Sequence, residues 1–327
     1  MNYPRVTVAV VCFNEERNII DCLSSLLDQS YGPKRYEILV VDNNSTDKTR
    51  QLVKGLQKKY RQIKLVVNKK RGIAASRNVA LRQVYPESNR RTQGKLLAFT
   101  DADCIVPKDW LSNLVKGYQK YTVKDQKVVA VGGSNVPPTT SDYYRALSIM
   151  LNSFLGSRGS VQGRQFKTDR YVPHLPCVNI LFNKEKLIET GGFDEKLGNI
   201  IEDEDLTYRL SQKGYRFYYL KNAPVMHKMR SNIHSWAKNM FTYGKGRMWF
   251  LQKHPEKIHL YFLVPIFLVL TFPISLPIYL PLIFLYAIWI SSKNEHLKLF
   301  PQVFCLLAVT HLSYGVGEIY GMVKGKN

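Results

Sequence analysis

Two carboxylates one residue apart, Asp101 and Asp103, stand at the end of the apolar run Leu96–Thr100. Carboxylates this close repel each other unless a cation or hydrogen-bond donors come between them. Hard divalent ions such as Mg²⁺ or Mn²⁺ take oxygen ligands and are commonly shared with phosphates, so the pair reads as a metal–diphosphate site. Asp is also frequent in strand-end turns and helix caps, and an isolated Asp-x-Asp is a weak signal. The calcium-loop pattern is absent, because no Gly and distal Glu follow at the required spacing. Other polar residues add weight: Asn14 and Glu15, Asp42 and Asn44, then Arg71 and Arg77, each group just after an apolar run. A carboxylate such as Asp42 accepts from a base N–H or a ribose hydroxyl, and two arginines grip phosphate in bidentate fashion. Neither a Walker A sequence nor a G-x-G-x-x-G after the first apolar run is present. A second acidic knot, Glu202-Asp203-Glu204-Asp205, precedes a helical run with Leu206, Arg209 and Leu210. Such a knot gains from a helix dipole as a capping cluster. In so basic a chain its density is unusual, and crowding should raise at least one pKa toward a base's working range. His227 offers an imidazole to the same ions, although a lone His is more often a packed or surface residue.

The elements that must carry these residues alternate. Val6–Phe13, Glu37–Val41, Ile63–Val67, Leu96–Thr100 and Lys127–Val131 read as strands. Glu16–Gln29, a segment around Leu52, Val53 and Leu56 capped by Ser45 or Thr46, Gly72–Val84 and a segment opened by Pro107 read as helices. This alternation implies right-handed βαβ units and a mostly parallel sheet. Ligands of such sheets sit at the carboxyl ends of the strands, where the polar groups fall.

The ordered motifs resemble the family 2 glycosyltransferases with the GT-A fold. They are Val8–Glu16, Val40–Asp47, Arg71–Asn78, Asp101-Ala102-Asp103, Asn179, Gly191–Glu195, Glu202–Leu206 and His227, spread over about residues 5–250. The resemblance implies a Rossmann-like α/β catalytic domain that transfers a sugar from a nucleotide-sugar donor with inversion. It places Phe13, Asn14, Glu15, Asp42, Asn44, Arg71, Arg77, Asp101 and Ala102 at the nucleotide sugar, and Asp103 and His227 on a divalent cation, Mg²⁺ or Mn²⁺. Asp203 becomes the catalytic base, with Asp205 its rival, and Asn179, Glu202 and Asp205 fall on the acceptor side. The chemistry asks for the same parts: a carboxylate base for the acceptor hydroxyl and a cation against the charge on the leaving diphosphate.

With 47 Lys and Arg against 25 Asp and Glu, the 327-residue chain carries a formal charge of +22, which favours anionic partners. The five scattered cysteines, without a C-x-x-C pair, read as reduced thiols in a cytosolic setting. From Leu260 to Ile290 there is no Asp, Glu, Lys or Arg, and Leu299–Met322 is interrupted only by His311 and Glu318. Both stretches match or exceed the ~20 residues that span a bilayer, and prolines at 265, 273, 277 and 281 would kink or split the first. Arg247, Lys253, Lys257 and Lys324 put the catalytic domain on the cytosolic face by the positive-inside rule. His234–Phe250 reads as an interfacial helix on acidic lipid headgroups. The amphipathic stretch at Tyr143–Leu155 is read equally as a membrane or acceptor platform and as domain core.

The expected organisation is therefore a GT-A domain over 1–230, with a nucleotide-sugar half (1–133) and an acceptor half (134–230). An interfacial segment over 231–257 and a transmembrane hairpin over 258–327 follow. The expected activity is transfer of a single hexose-type sugar to a hydroxyl of a lipid-linked or membrane-delivered acceptor. A polyprenyl phosphate acceptor, or a non-catalytic nucleotide-sugar binder on the membrane, is the alternative. Charge alone would suit nucleic acid, but no helix-turn-helix, zinc or RRM pattern accompanies it, and no nucleic-acid partner is expected.

Overall fold

A computed structural model of the chain describes residues 4–83, 96–158, 160–197 and 199–325. The first half follows the alternating pattern: β1 (Val6–Cys12), α1 (Ile19–Leu27), β2 (Tyr36–Asp42), α2 (Thr49–Lys59), β3 (Ile63–Val67), α3 (Ile73–Gln83) and β4 (Leu96–Asp101). Next come β5 (Cys104–Ile105), α4 (Trp110–Lys124), β6 (Val128–Gly132), β7 (Asn135–Val136), α5 (Asp142–Leu151) and α6 (Phe154–Ser157). Then follow β8 (Arg170–Val172), β9 (Asn179–Asn183), α7 (Lys184–Glu189), α8 (Glu202–Gln212), β10 (Arg216–Tyr219) and β11 (Val225–His227). The C-terminal helices are α9 (Ile233–Lys253), α10 (Val264–Leu270), α11 (Leu276–Lys293) and α12 (Phe300–Lys324). Val84, the expected end of the third helix, lies outside the described residues.

The chain forms two units. Unit one, residues 1–136 and 165–227, is built on an eight-stranded sheet in the order β3-β2-β1-β4-β9-β6-β10-β8 among the described residues. β1 pairs in parallel with β2 and β4, β2 with β3, and β6 with β10. The expected neighbourhood of β4 and β6 is interrupted by β9, which runs antiparallel to both. The short apolar run Ile180–Phe182 follows β6 only after α5, α6 and the short β7 and β8, outside the regular strand–helix alternation, so sequence spacing did not place it. Val8, Val10, Ile38, Val40, Ala98 and Leu181 are fully buried in the core of this sheet. Full burial of such aliphatic side chains contributes about 1.5–3 kcal/mol each, which is why these strands read as continuous apolar runs. Beside it lies a three-stranded sheet, β5-β11-β7, in which His227 pairs with Cys104 and Val225 with Asn135.

Unit two, residues 137–164 and 228–327, differs from the expected division at 230 and 257. Its core joins Ala146, Leu147, Ile149 and Met150 of α5 to Trp236 and Met240 of α9, Ile283 and Ala287 of α11, and Val303 and Leu307 of α12. The Tyr143–Leu155 stretch is thus largely domain core, because α5 turns its apolar side onto the C-terminal helices. α9 is likewise not a free interfacial helix over its apolar side. Gly244 sits so close to the Tyr314 carbonyl, and Gly317 to that of Phe241, that no side chain fits between α9 and α12, and the Trp236 indole donates to Thr310 Oγ1 at 2.9 Å. The first apolar stretch is split into α10 and α11. Pro273 lies in the break and Pro277 opens α11 in its first turn, where a missing N–H costs nothing. α11 and α12 are long and apolar enough to cross a membrane by length and composition.

Candidate active site

The end of β4 delivers its two carboxylates to different partners. Ala102 between them is buried. Asp101 faces the Arg77 guanidinium at 3.5 Å, whereas Asp103 Oδ1 lies 3.2 Å from His227 Nε2. His227 reaches that position because β11 pairs antiparallel with β5, the strand that follows Asp103 directly. Its other ring nitrogen, Nδ1, is 3.2 Å from the Asn135 amide on β7. Asn135 is fully buried and fixes the ring as metal-bound imidazoles are commonly fixed from behind. One carboxylate oxygen and one imidazole nitrogen converging in this way suit Mn²⁺ or Mg²⁺. Cys104 Sγ lies within 4.8 Å of the same atoms. Burial and the adjacent Asp103 push its thiol well above the ordinary range, so it stays protonated and is no ligand for a hard ion.

Arg77 is almost wholly buried on α3 and also binds Glu202 Oε1, the first residue of α8. Surrounded by Glu202, Asp101 and Asp203, it remains cationic. Burial raises Asp101 above the ordinary carboxylate range, with Arg77 pulling the other way and Asp103 adding to the rise. Burial likewise pushes Glu202 up to about 7 against the pull of Arg77. The raised acid of the crowded knot is therefore Glu202.

Asp203 is half-buried at the start of α8. It accepts from the Cys177 backbone N–H at 3.2 Å and from Glu204 N–H at 2.8 Å. Its carboxylate lies within electrostatic reach of Asp101 and Arg77. Ile201, just before α8, adopts a left-handed φ of 69°. For a β-branched residue this is strained backbone, and it sets the turn from which Glu202 and Asp203 project.

The strand ends on the other side are cross-linked. Asn14, at φ 56°, donates its N–H to Ser45 Oγ at 3.0 Å, and its side chain accepts from Thr46 N–H at 2.8 Å. The Glu15 N–H donates to Thr49 Oγ1 at 2.7 Å, and Asn44 also holds a left-handed φ of 62°. Arg71 is exposed, its guanidinium 5.6 Å from the centre of the Phe13 ring. Asp42 is fully buried and takes two hydrogen bonds from Arg50, at 3.0 and 2.8 Å. Arg50 was not among the expected residues. It is the second residue of α2, eight residues after Asp42, and only the closed loop brings the two together.

Two expected acceptor-side residues are internal. Asn179 is fully buried: its carbonyl accepts from Trp110 Nε1 at 2.8 Å, and its amide donates to the Ser134 and Ala223 carbonyls at 2.9 and 2.7 Å. Asp205 is fully buried against Arg209 at 2.8 Å, whose guanidinium also donates to the Thr190 and Gly192 carbonyls. It therefore cannot rival Asp203 as a base. Glu202, also expected on the acceptor side, is buried against Arg77. These corrections share one cause: polar side chains that brace loops at a sheet edge look in sequence like polar side chains that meet a ligand.

Residues 7–191 match the family described as Glycosyl transferase family 2. Over 339 aligned residues the chain is 26% identical to a dolichyl N-acetyl-alpha-D-glucosaminyl phosphate 3-beta-D-2,3-diacetamido-2,3-dideoxy-beta-D-glucuronosyltransferase of Methanococcus voltae, covering 100% of this chain and 99% of that protein. It is 28% identical over 233 residues to a beta-monoglucosyldiacylglycerol synthase of Synechocystis sp., covering 68% of this chain and 43% of that protein. Among solved structures, the mannosyltransferase PcManGT from Pyrobaculum calidifontis, in complex with GDP-Man and Mn²⁺, has a TM-score of 0.62 at 21% identity. That match covers 98% of this chain and 88% of the other.

Proposed function

Because the chain belongs to glycosyl transferase family 2, we propose that this glycosyltransferase moves a single hexose-type sugar, with inversion, from a nucleoside-diphosphate sugar to a hydroxyl of a lipid-linked or membrane-associated acceptor. The observation that carries the reading is the convergence of Asp103 and His227 at 3.2 Å, with Arg77 and Asp101 alongside. Asp103 and His227 would hold a divalent cation, which would neutralise charge on the departing diphosphate. Arg77, buried and cationic, holds Asp101 and Glu202 in fixed positions so that little reorganisation is needed as charge develops. Asn14, Asn44, Asp42 and its partner Arg50 shape the loops at the base and ribose, and Arg71 with Phe13 borders the donor. Asp203, oriented by the Cys177 and Glu204 N–H groups, takes the proton from the acceptor hydroxyl as it attacks opposite the leaving group.

The acceptor class draws support from the names of these two relatives, one a transferase for a dolichyl-linked sugar phosphate and the other a synthase of monoglucosyldiacylglycerol. α11 and α12 fit a membrane-anchored enzyme. The basic residues flanking them, Lys253, Lys257 and Lys324, favour a catalytic unit on the cytosolic face.

The test is a panel of nucleotide sugars assayed on purified membranes with and without Mn²⁺ or Mg²⁺, using wild type and Asp203→Asn. Expected is cation-dependent release of nucleoside diphosphate from one donor, with a loss of roughly 10²–10⁴-fold in the variant while donor binding persists. Full release in Asp203→Asn would remove the base from the mechanism and favour an acceptor that is already ionised, a polyprenyl phosphate.

A further inference from the structure

Unit two carries a charge cluster whose residues the proposed reaction does not use. Arg158 follows α6 in a left-handed turn with φ 52°. Its guanidinium lies 3.3 Å from the ring centre of Tyr261 and 5.6 Å from that of Phe262. Arg247 on α9 lies 4.9 Å from the same Phe262 ring and donates from Nε to Tyr314 Oη at 3.2 Å. One phenyl ring thus sits against two guanidinium groups, which repel each other electrostatically. Both are within electrostatic reach of Glu318 on α12. Glu318 is fully buried, and neither of its carboxylate oxygens has a hydrogen-bond partner.

A buried carboxyl group with no donor of its own is costly to keep. It lies within electrostatic reach of both guanidinium groups without hydrogen-bonding to either. Two guanidinium groups against one carboxylate leave the cluster net positive, and their fork geometry matches phosphate oxygens. Tyr261 and Phe262 directly precede α10, where the apolar C-terminal helices begin. The cluster therefore stands where a polar segment gives way to an apolar one, which is where the phosphate of a lipid sits.

We propose that Arg158 and Arg247 bind the phosphate of a lipid-linked acceptor at this boundary, beside the buried carboxyl group of Glu318. The inference rests on the lipid-linked acceptor reading given above. An anionic phospholipid headgroup offers the same phosphate chemistry, so the experiment separates the two sources.

The full chain, purified in detergent, is titrated with a polyprenyl phosphate, with phosphatidylglycerol and with the neutral polyprenol, and bound lipid is counted by native mass spectrometry. Wild type should bind the polyprenyl phosphate at least tenfold more tightly than the other two. Arg158→Gln and Arg247→Gln should each lose tenfold or more. Arg158→Lys and Arg247→Lys, which keep the charge but lose the fork geometry, should recover part of that loss, a change that misfolding does not produce. Unaltered affinity in both arginine variants overturns the site. Equal affinity of wild type for phosphatidylglycerol overturns the acceptor assignment and makes the pair a headgroup contact. A parallel transfer assay on a polyprenyl-linked acceptor separates the two readings. Transfer with an unchanged acceptor KM in the arginine variants overturns this inference alone. Arginine-dependent phosphate binding with no transfer to any lipid overturns the proposed function and leaves the phosphate site standing.

Discussion

At the scale of single residues the decisive events are pairings. Asp101 and Asp103 are neighbours in sequence but serve different partners, Arg77 and His227. Glu202 and Asp203 are likewise adjacent but unlike. The first is buried on Arg77, and the second is half-exposed and oriented by backbone N–H groups. The raised Glu202 gives a prediction with a definite sign. Its folded pKa of about 7 lies above its ordinary value of 4.5. Between those values the folded protein holds a proton that the unfolded chain has released, so stability falls as pH rises through that window and levels off above it. Glu202→Gln has no proton to lose there. The Tm of wild type relative to this variant should therefore drop from pH 4.5 to 7. A flat difference would mean that Arg77 keeps Glu202 ionised throughout.

At the scale of elements the small β5-β11-β7 sheet matters most, because it carries His227 and Asn135 and directly follows Asp103. Its position depends on two glycines. A Cβ on Gly132 would collide with the Asn179 carbonyl, and one on Gly133 with the Ala223 carbonyl. Asn179 ties the same junction together from inside, between Trp110, Ser134 and Ala223. Gly133→Ala should therefore destabilise by about 1–3 kcal/mol. It should also move β7, and with it the Asn135 hold on His227, so that the Mn²⁺ concentration for half-maximal activity rises. Thermal melting and a metal titration check the two effects. A lowered Tm with an unshifted metal requirement would dissociate the junction from the site. His227→Ala should shift the metal requirement directly, by roughly 10–100-fold if the imidazole is a ligand, without the stability loss that the glycine variant suffers.

At the scale of the whole molecule the two units have different solvents in view. Unit one buries apolar strands on both faces of a sheet and presents polar strand ends. Unit two leaves large apolar side chains exposed along α10 and α11, among them Phe267, Leu270, Ile278, Leu282, Leu285 and Trp289. A contiguous apolar surface of that kind is an interaction surface, and helices of this length and composition fit a bilayer. The full chain, expressed in cells, should accordingly stay with the membrane fraction through extraction at alkaline pH. Its release into the supernatant would argue that another protein covers this face.

The sequence by itself determined the alternation of β1, β2, β3, β4 and β6 with their helices, since a buried strand must be continuously apolar and must end in a turn. It also singled out Asp101, Asp103, Asp203 and His227 as candidates, and marked the two apolar stretches at the C-terminus. Only the tertiary structure decided which of the candidates face the site. Asn179 and Asp205 are the same residue types as functional groups, but their hydrogen-bonding capacity is consumed inside the fold. The antiparallel insertion of β9 between β4 and β6 was equally a tertiary matter. So were the Arg50–Asp42 pair and the docking of α5 onto the C-terminal helices. Each depends on contacts between segments far apart in the chain, and hydrophobic periodicity records how a segment is buried but not against what.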